Sequence, residues 1–347
     1  MSKLPGGARR SSNTKDWWIS DHTRTIREDR QTYFVCYSKV MHKQLLALLL
    51  AFLGPSLLAA AKEFRLYYLG GQSNMDGYGK VSELPESLKS GEAYKDVYIF
   101  HGNMGLDGKK PDGRGAWLKL QPGHGRNFKS DGSKHGYSDR FGLELTLART
   151  LKKQYPGAHI AFIKYSRGGT SIDSKAAAQK RFGAWDPEWD GGEGEGKGIN
   201  QYDHFQATLK HAFADKDLDN DGEPDTLVPS GILWMQGESD ADNEEVARRY
   251  ESNLSELMNL IRKDLGNPKT KIPVVIGRIT DWKVWKFGAI IRKAQASFVE
   301  ADPRAALVTS TDSYGNSDPW HYDTAGYLDL GEQFAKALIS AEKGHSK

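Results

Sequence analysis

The chain has 347 residues, of which 38% are hydrophobic, 11% aromatic and 27% charged. A chain of this length and composition can bury a sizeable core, in one large domain or two small ones, which excludes a protein that is disordered throughout. Its 48 basic and 45 acidic residues give a formal net charge of +3.

The first 61 residues differ in kind from the rest of the chain. Residues 1–40 are polar, mixed in charge and without clear periodicity, and we interpret them as an upstream extension that does not belong to the native protein. Residues 41–61 begin with a basic stretch at Met41, continue with a short apolar run and end in three alanines at Ala61. This order is typical of a secretory signal peptide that is cleaved after about Ala61. We therefore expect translation to begin at Met41 and the protein to be secreted or periplasmic.

A membrane anchor is the alternative interpretation of the same apolar run. The run, residues 45–58, is shorter than the roughly 20 residues that a helical span needs, and Pro55 interrupts it. We therefore expect no stable membrane insertion after cleavage.

Removal of residues 1–61 changes the charge and the cysteine content. The segment holds nine Lys and Arg and four Asp and Glu, so the mature chain has 39 basic and 41 acidic residues, a net charge of −2. This balance gives no basis for a nucleic-acid partner. Cys36 is the only cysteine and is lost with the segment, which excludes cysteine catalysis and disulfides in the mature protein.

From residue 62 to residue 347, apolar runs alternate with periodic, helix-like segments, and no internal repeat is visible. The alternation predicts a single α/β domain with a parallel sheet covered by helices on both faces. The strand candidates are residues 65–69, 97–100, 160–165, 231–235, 272–279 and 306–309. The helix candidates are residues 140–154, 201–213, 243–265, 287–300 and 325–341. Two long insertions rich in Gly and Trp, residues 101–138 and 173–200, are predicted to build a binding cleft.

Ser73 follows the first predicted strand and a glycine pair, Gly70-Gly71. Because open α/β sheets bind their ligands at the carboxyl ends of the strands, a serine at this point is a candidate nucleophile. The alternative is an ordinary strand-to-helix turn whose serine caps the helix.

A candidate base stands near the C-terminus, in Asp318-Pro-Trp-His321, just before the last predicted helix. Serine is a poor nucleophile until a base takes its proton, and histidine is the usual base. A carboxylate then orients the imidazole. Asp318 lies three residues before His321, close enough to contact it within one loop.

Four sequence blocks follow predicted strands or precede the last helix. They are Gly71-Gln-Ser-Asn-Met75, Gly168-Gly-Thr170, Trp234-Met-Gln-Gly-Glu238 and Asp318-Pro-Trp-His321. In this order they resemble the SGNH hydrolase superfamily, and within it the carbohydrate esterase family 6 and sialate O-acetylesterase-like branch. The resemblance covers residues 63–342. It implies a flavodoxin-like, three-layer α/β/α sandwich with a parallel sheet of about five strands, and an enzyme that removes acetyl groups from sugar esters.

The resemblance also implies roles for matching residues. Ser73 is the nucleophile and His321 the general base. The oxyanion hole consists of the backbone N–H of Ser73, the backbone N–H of Gly169 or its neighbour Gly168, and the side-chain amide of Gln236, which stands where an Asn is common in the superfamily. Loss of one such donor typically lowers the rate about 10²–10³-fold.

Two carboxylates, Asp318 and Glu238, are placed to orient His321, and the resemblance does not choose between them. We favour Asp318 because an Asp three residues before the base is the common arrangement. Further candidate substrate contacts are Gln72, Asn74, Arg167, Arg278 and Trp320. For the arginines the alternative is a salt bridge that holds a loop, and for the tryptophan it is loop packing.

An acidic stretch resembles the first half of a calcium-binding loop. Its carboxylates are Asp217, Asp219, Asp221 and Asp225, with Gly222 placed for a sharp turn. The twelfth loop position is Val228 and not the usual Glu, so we expect a weak structural calcium site or an acidic solvated loop.

The sequence therefore predicts a secreted serine esterase that acts on acetylated poly- or oligosaccharide, acetylxylan first, with no cofactor required for catalysis. One alternative is a sialate O-acetylesterase-like enzyme that acts on a monosaccharide ester. Another is an inactive carbohydrate-binding protein. The sequence leaves the oligomeric state open.

Overall fold

A computed structural model describes residues 61–266 and 272–343, and all of them belong to one compact unit. The predicted upstream extension and the signal peptide, apart from Ala61, lie outside the described residues. Among the described residues, no helix is both long and apolar enough to cross a membrane.

A central sheet of seven strands organises the described part of the chain. Its order is β11-β10-β9-β1-β8-β3-β4, and all neighbours are parallel except the antiparallel pair β3 and β4 at one edge. These strands are β1 (Glu63–Gly71), β3 (Val97–His101), β4 (Trp117–Lys119), β8 (His159–Ser166), β9 (Thr226–Met235), β10 (Val274–Gly277) and β11 (Ala305–Val308). Four two-residue strands form two small ribbons outside it, β2 (Gly79–Lys80) with β7 (Arg140–Phe141) and β5 (Lys129–Ser130) with β6 (His135–Gly136).

All six strand candidates are strands of this sheet, which confirms the predicted α/β class. The sheet has more strands than the expected five because the first insertion contributes β4 to the edge. In chain order the parallel strands run 2-3-1-4-5-6 across the sheet, whereas flavodoxin has the order 2-1-3-4-5. The first strand is thus central, and the chain continues first to one side of it and then to the other.

The described residues form seven α-helices. They are α1 (Ser73–Asp76), α2 (Glu144–Gln154), α3 (Gln179–Phe182), α4 (Gln201–Ala214), α5 (Glu244–Asp264), α6 (Gly288–Ala301) and α7 (Thr324–Glu342). Five of the seven match the five periodic segments, and the short helices α1 and α3 were not predicted. Side-chain caps explain several starts: Asn200 and Asp203 form a capping box on α4, Asn243 caps α5, and Asp323 caps α7. The start of α2 lies four residues after the predicted one, since residues 140–143 are a short strand and a turn, whereas the starts of α4, α5, α6 and α7 lie within one residue of the prediction.

Two adjacent tyrosines of β1 show how the sheet is covered on both faces. Side chains of neighbouring strand residues point to opposite faces. The hydroxyl of Tyr67 accepts a hydrogen bond from Arg65, whose guanidinium also binds Glu342 of α7. Tyr68 packs instead on Phe205 of α4, with ring centroids 4.7 Å apart. The sheet therefore lies between α7 and α4, which gives the three-layer sandwich.

Gly71 ends β1 at the centre of the sheet, where the strand order reverses. Its φ is +139°, and a Cβ at this position would lie 2.0 Å from the carbonyl oxygen of Met235. Only glycine permits this approach of β1 to β9. The residues after Gly71 consequently enter a crevice between strand ends, the place where open α/β sheets bind ligands.

Candidate active site

Ser73 is the first residue of α1, directly after β1. Gln72 precedes the helix, and its carbonyl accepts hydrogen bonds from the backbone N–H groups of Met75 and Asp76. The hydroxyl of Ser73 caps nothing and makes no hydrogen bond with any described residue. Its side chain lines a cleft of about 680 Å³. This placement argues against the interpretation of Ser73 as a helix cap.

Unpaired backbone N–H groups lie in the same cleft as Ser73. The N–H groups of Ser73, Gly168 and Gly169 make no hydrogen bond within the described part of the chain, and all three residues line the cleft. A Cβ on Gly168 would lie 3.3 Å from the Cβ of Ser73, so the turn after β8 approaches the hydroxyl closely. Gly169 has φ +79°, and a Cβ there would collide with the ring of Phe182. The chain therefore presents free N–H groups beside Ser73, as an oxyanion site requires.

His321 and Asp318 face the same cleft from the loop before α7. The Nδ1 of His321 lies 2.7 and 2.9 Å from the two carboxylate oxygens of Asp318. Asp318 also accepts hydrogen bonds from the backbone N–H groups of Trp320 and His321, which fix its position. Because a carboxylate only accepts, Nδ1 carries the proton and Nε2 is left as the basic atom.

The pKa shifts of His321 and Asp318 agree with a neutral imidazole beside an ionised carboxylate. Burial lowers the pKa of His321 below its ordinary value, although the hydrogen bond to Asp318 acts in the opposite direction. Burial acts to raise the pKa of Asp318, but the hydrogen bonds from His321 and Trp320 outweigh it, and the pKa lies below its ordinary value. At neutral pH the imidazole is therefore neutral and the carboxylate ionised, the states that a general base and its partner need.

Glu238 also reaches the cleft but makes no hydrogen bond to His321. Its Oε1 accepts a hydrogen bond of 2.7 Å from Nδ2 of Asn74, and its buried Oε2 has no partner among the described residues. Burial raises the pKa of Glu238 to about 7. Of the two carboxylates that the sequence left open, the structure places Asp318 against the imidazole.

Asn74 does not face the cleft, which corrects its assignment as a substrate contact. Its amide donates to Glu238 and to the backbone carbonyl of Trp320, and its Oδ1 accepts a hydrogen bond from the hydroxyl of Tyr327. All of these contacts are internal. Asn74 connects the turn after β1 to the loop that carries His321.

Gln236 is also buried away from the cleft. Its Nε2 donates to Asp240, Thr170 and Gln72, so it has no hydrogen left for an oxyanion. This corrects its assignment as an oxyanion donor. The side chain at the end of β9 turns into the protein because a buried carboxylate, Asp240, binds it at 2.6 Å.

Gln72, and not Gln236, lines the cleft with an amide nitrogen that is free to donate. Its Oε1 lies within 3.5 Å of three donors: Nε2 of Gln236 and the backbone nitrogens of Gly237 and Ser239. Two of these donors are backbone N–H groups, so the oxygen and nitrogen of the Gln72 amide are unambiguously assigned. Its Nε2 makes no hydrogen bond within the described residues, and Gln72 lines the cleft beside Ser73.

Three arginines line the cleft without an ion pair among the described residues: Arg126, Arg167 and Arg181. Only Arg167 was predicted. Arg278 is instead bound to Asp312, which also binds Arg292, and it does not line the cleft. This outcome corresponds to the salt-bridge alternative that the sequence left open for Arg278.

Part of the cleft is lined by exposed apolar side chains. Trp320 is 49% exposed and Val284 is 45% exposed, and Trp285 lies beside them. Exposed aromatic and aliphatic side chains of this kind provide a flat surface for the apolar face of a sugar ring. Trp320 was predicted from its position next to His321. Val284 and Trp285 were not, because they follow β10 and no nearby motif singles them out.

The acidic loop brings together the carboxylates of Asp217, Asp219 and Asp225, with oxygens within 4.8 Å of one another. A lysine ammonium already contacts this cluster, since Nζ of Lys62 binds Asp219 and Asp221. Carboxylates suit calcium, but a cation here would compete with Lys62. The loop lies outside the group of residues that line the cleft.

The α/β sandwich, with a serine, a histidine–carboxylate pair and free N–H groups at one sheet edge, has the arrangement of a serine-type ester hydrolase. The sequence model of a carbohydrate esterase family, described as sialic acid-specific acetylesterases, matches residues 63–340. The chain therefore belongs to this family and is a carboxylic ester hydrolase of the carbohydrate acetylesterase type. A search of curated proteins gave no match.

Two solved structures have a similar fold. A protein from Arabidopsis thaliana is 19% identical with a TM-score of 0.55, over 79% of this chain and 97% of that one. A carbohydrate acetylesterase from Xanthomonas citri is 17% identical with a TM-score of 0.53, over 80% of this chain and 57% of that one. At these identities the likeness concerns the fold.

The structure adds residues to the site that sequence reasoning missed. Tyr78 stacks on His321, Arg126 contacts Tyr78, and Asp76 lines the cleft. Burial raises the pKa of Asp76 to about 6. The signal for Asp76 and Tyr78 was their closeness to Ser73 in the sequence, whereas Arg126 comes from a long insertion with no pattern of its own.

Proposed function

We propose that this protein is an exported serine esterase that removes O-acetyl groups from carbohydrate through an acyl-enzyme. The observation that carries the proposal is the convergence of Ser73 and the His321–Asp318 pair on one cleft that also contains unpaired backbone N–H groups. No other group of the described residues is needed to supply a nucleophile or a base.

In the first step, Nε2 of His321 takes the proton of the Ser73 hydroxyl while the serine oxygen bonds to the acetyl carbon. We expect the Ser73–His321 hydrogen bond to form when substrate binds, since such contacts often tighten only in the complex. Asp318 stabilises the imidazolium that results. The carbonyl oxygen becomes an oxyanion.

Three donors are proposed for that oxyanion: the N–H of Ser73, the N–H of Gly168 or Gly169, and Nε2 of Gln72. Gln236 contributes indirectly, because its amide holds the Gln72 oxygen. The tetrahedral intermediate then collapses, the sugar oxygen leaves with the proton from His321, and the acetyl group stays on Ser73. Water, deprotonated by His321, attacks the acyl-enzyme in the same way and releases acetate.

For the substrate, we propose acetylated xylan or another plant or algal polysaccharide. The cleft is large, and its exposed rim at Trp320 and Val284 suits a pyranose ring. Export is proposed from residues 41–61 alone. N-terminal sequencing of the exported protein checks it, and a mature chain that starts before Met41 would contradict it.

An acetylated acidic monosaccharide is the second candidate substrate, and the unpaired arginines favour it. Arg126, Arg167 and Arg181 provide positive charge for a sugar carboxylate. Two of the four carboxyls that line the cleft, Asp76 and Glu238, oppose an anion less than usual because burial raises their pKa values to about 6 and about 7.

The first test is release of p-nitrophenol from its acetate by the purified protein. We expect activity in the native protein and none above background in Ser73→Ala. Activity that persists in Ser73→Ala, or no activity in either protein, would contradict the proposal. Acetate release from acetylated xylan compared with O-acetylated sialic acid then separates the two substrate candidates, and Arg126→Gln should lower kcat/KM only for the acidic sugar.

A further inference from the structure

The imidazole of His321 is stacked against the phenol ring of Tyr78. Their ring centroids are 3.5 Å apart and their planes lie within 8° of parallel. Tyr78 lines the cleft together with His321. Its hydroxyl makes no hydrogen bond with any described residue, so it is the ring and not the hydroxyl that contacts the imidazole.

The local backbone holds Tyr78 in this position. Gly77 has φ +101°, and a Cβ there would lie 2.3 Å from the Cα of Gly142, so the chain turns sharply after α1. The next residues form the ribbon β2–β7, and the carbonyl of Tyr78 accepts a hydrogen bond from Arg140. The guanidinium of Arg126 lies 4.9 Å from the centroid of the phenol ring.

A catalytic imidazole must be fixed both in the position of its hydrogen-bonded edge and in the tilt of its ring plane. The pair of contacts between Nδ1 and Asp318 keeps that edge of the ring against the carboxylate, but a hydrogen bond at one edge still permits the ring plane to tilt. The side-chain torsion that sets the plane of a histidine ring is broad in energy. A parallel aromatic surface at 3.5 Å restricts that tilt, because any large rotation would drive the imidazole into the phenol ring.

We propose that Tyr78 is a positioning residue for the esterase reaction: its ring fixes the plane of the His321 imidazole so that Nε2 points into the cleft toward Ser73. The inference rests on the proposed function, since it concerns His321 as the base. Tyr78 acts through His321 and takes no part in bond making or breaking. A misplaced base typically lowers the rate by up to about 100-fold even when every reacting group is present.

The experiment compares Tyr78→Leu, which removes the aromatic surface, with Tyr78→Phe, which keeps it. With p-nitrophenyl acetate, Tyr78→Leu should lower kcat about 10- to 100-fold and change KM by less than about threefold, since a misoriented base affects the chemical step more than substrate binding. Tyr78→Phe should restore kcat to within about twofold of the native protein. An unaltered kcat in Tyr78→Leu, or an equal loss in Tyr78→Phe, would overturn the proposal.

Tyr137→Leu is the matched control. Tyr137 is 43% exposed, packs edge-on against the buried His124 at 5.4 Å, and does not line the cleft. The Tyr137→Leu variant therefore loses a similar tyrosine–histidine contact away from the cleft, and its kcat should equal that of the native protein. A loss of kcat as large as in Tyr78→Leu would show general destabilisation and overturn the specific role.

A spectroscopic measurement makes the result independent of turnover. In protein labelled at histidine, the ring protons of His321 should resonate upfield of an ordinary histidine because they lie over an aromatic ring, and His321→Gln identifies the signal. The upfield shift should vanish in Tyr78→Leu and remain in Tyr78→Phe. If the native protein is inactive but shows the shift, the proposed function fails while the stack stands. If the native protein is active without the shift, the inference fails alone.

Discussion

Replacing Glu238 by glutamine removes a buried carboxyl group whose pKa lies far from its ordinary value. Burial raises that pKa from 4.5 to about 7. The glutamine oxygen can accept the same hydrogen bond from Asn74, so the substitution mainly removes the ionisation. The change therefore tests the effect of the buried charge with little change in shape.

The folded and unfolded states bind the Glu238 proton differently, so the free energy of unfolding depends on pH. Between about pH 4.5 and pH 7 the folded protein holds the proton at Glu238 and the unfolded chain does not, so the free energy of unfolding falls as pH rises through this range and then levels off. The ionisation of Glu238 lowers the free energy of unfolding by about 1 kcal/mol at pH 5 and by about 3 kcal/mol at pH 8. Glu238→Gln has no ionisation at this position, so its free energy of unfolding relative to the native protein should rise by about 2–3 kcal/mol between these two pH values.

Urea denaturation of both proteins at pH 5 and pH 8 measures the effect. Other buried carboxyls with raised pKa values, such as Asp76 and Asp240, change stability with pH equally in both proteins and cancel in the comparison. Glu251→Gln, an exposed position on α5, serves as the matched control and should show no such gain. A difference between Glu238→Gln and the native protein that is the same at pH 5 and pH 8 would refute the argument.

The remaining predictions concern the reaction and the acidic loop. Gln72→Leu should lower kcat with p-nitrophenyl acetate about 10²–10³-fold, and an unimpaired variant would exclude its amide as an oxyanion donor. Asp318→Asn should lower kcat about 10³–10⁴-fold, because the amide nitrogen donates to Nδ1 of His321 and moves the imidazole proton to Nε2, and a loss below tenfold would contradict the role of Asp318. Since burial lowers the pKa of His321, kcat/KM should fall with decreasing pH only below its ordinary value of 6.5, and a half-maximal point above 6.5 in the pH–rate profile would be inconsistent with this. Calorimetry should show weak calcium binding that becomes tighter in Lys62→Ala, whereas equal affinity in both proteins would mean that the ammonium does not compete at the acidic loop.

Local sequence explains much of the site. An Asp three residues before a His can reach it within one loop, and in the structure Asp318 and His321 are in contact. Ser73 was placed by a strand pattern and a glycine pair, both of which act over a few residues. The six strands and the caps at Asn200 and Asn243 are likewise local features.

Side-chain direction at the strand ends required the tertiary structure. Gln72 and Gln236 follow neighbouring strands and carry the same amide, so the sequence does not show which of them faces the cleft. The buried carboxylate of Asp240 holds Gln236 inside, and the Gln236 amide then binds the oxygen of Gln72 and leaves the Gln72 nitrogen free. Each amide is oriented by partners that folding brings from other elements.

Features set by neighbouring residues could be predicted from the sequence, whereas contacts between distant segments could not. What the sequence by itself determined is the α/β architecture, and it singled out Ser73, Asp318 and His321 as candidates, because strand periodicity and short spacings are properties of neighbouring residues. Only the tertiary structure decided that Tyr78 stacks on His321 and that Arg126 lines the cleft. These contacts join segments far apart in the chain, and their geometry depends on how the sheet, the turns and the insertions pack in space.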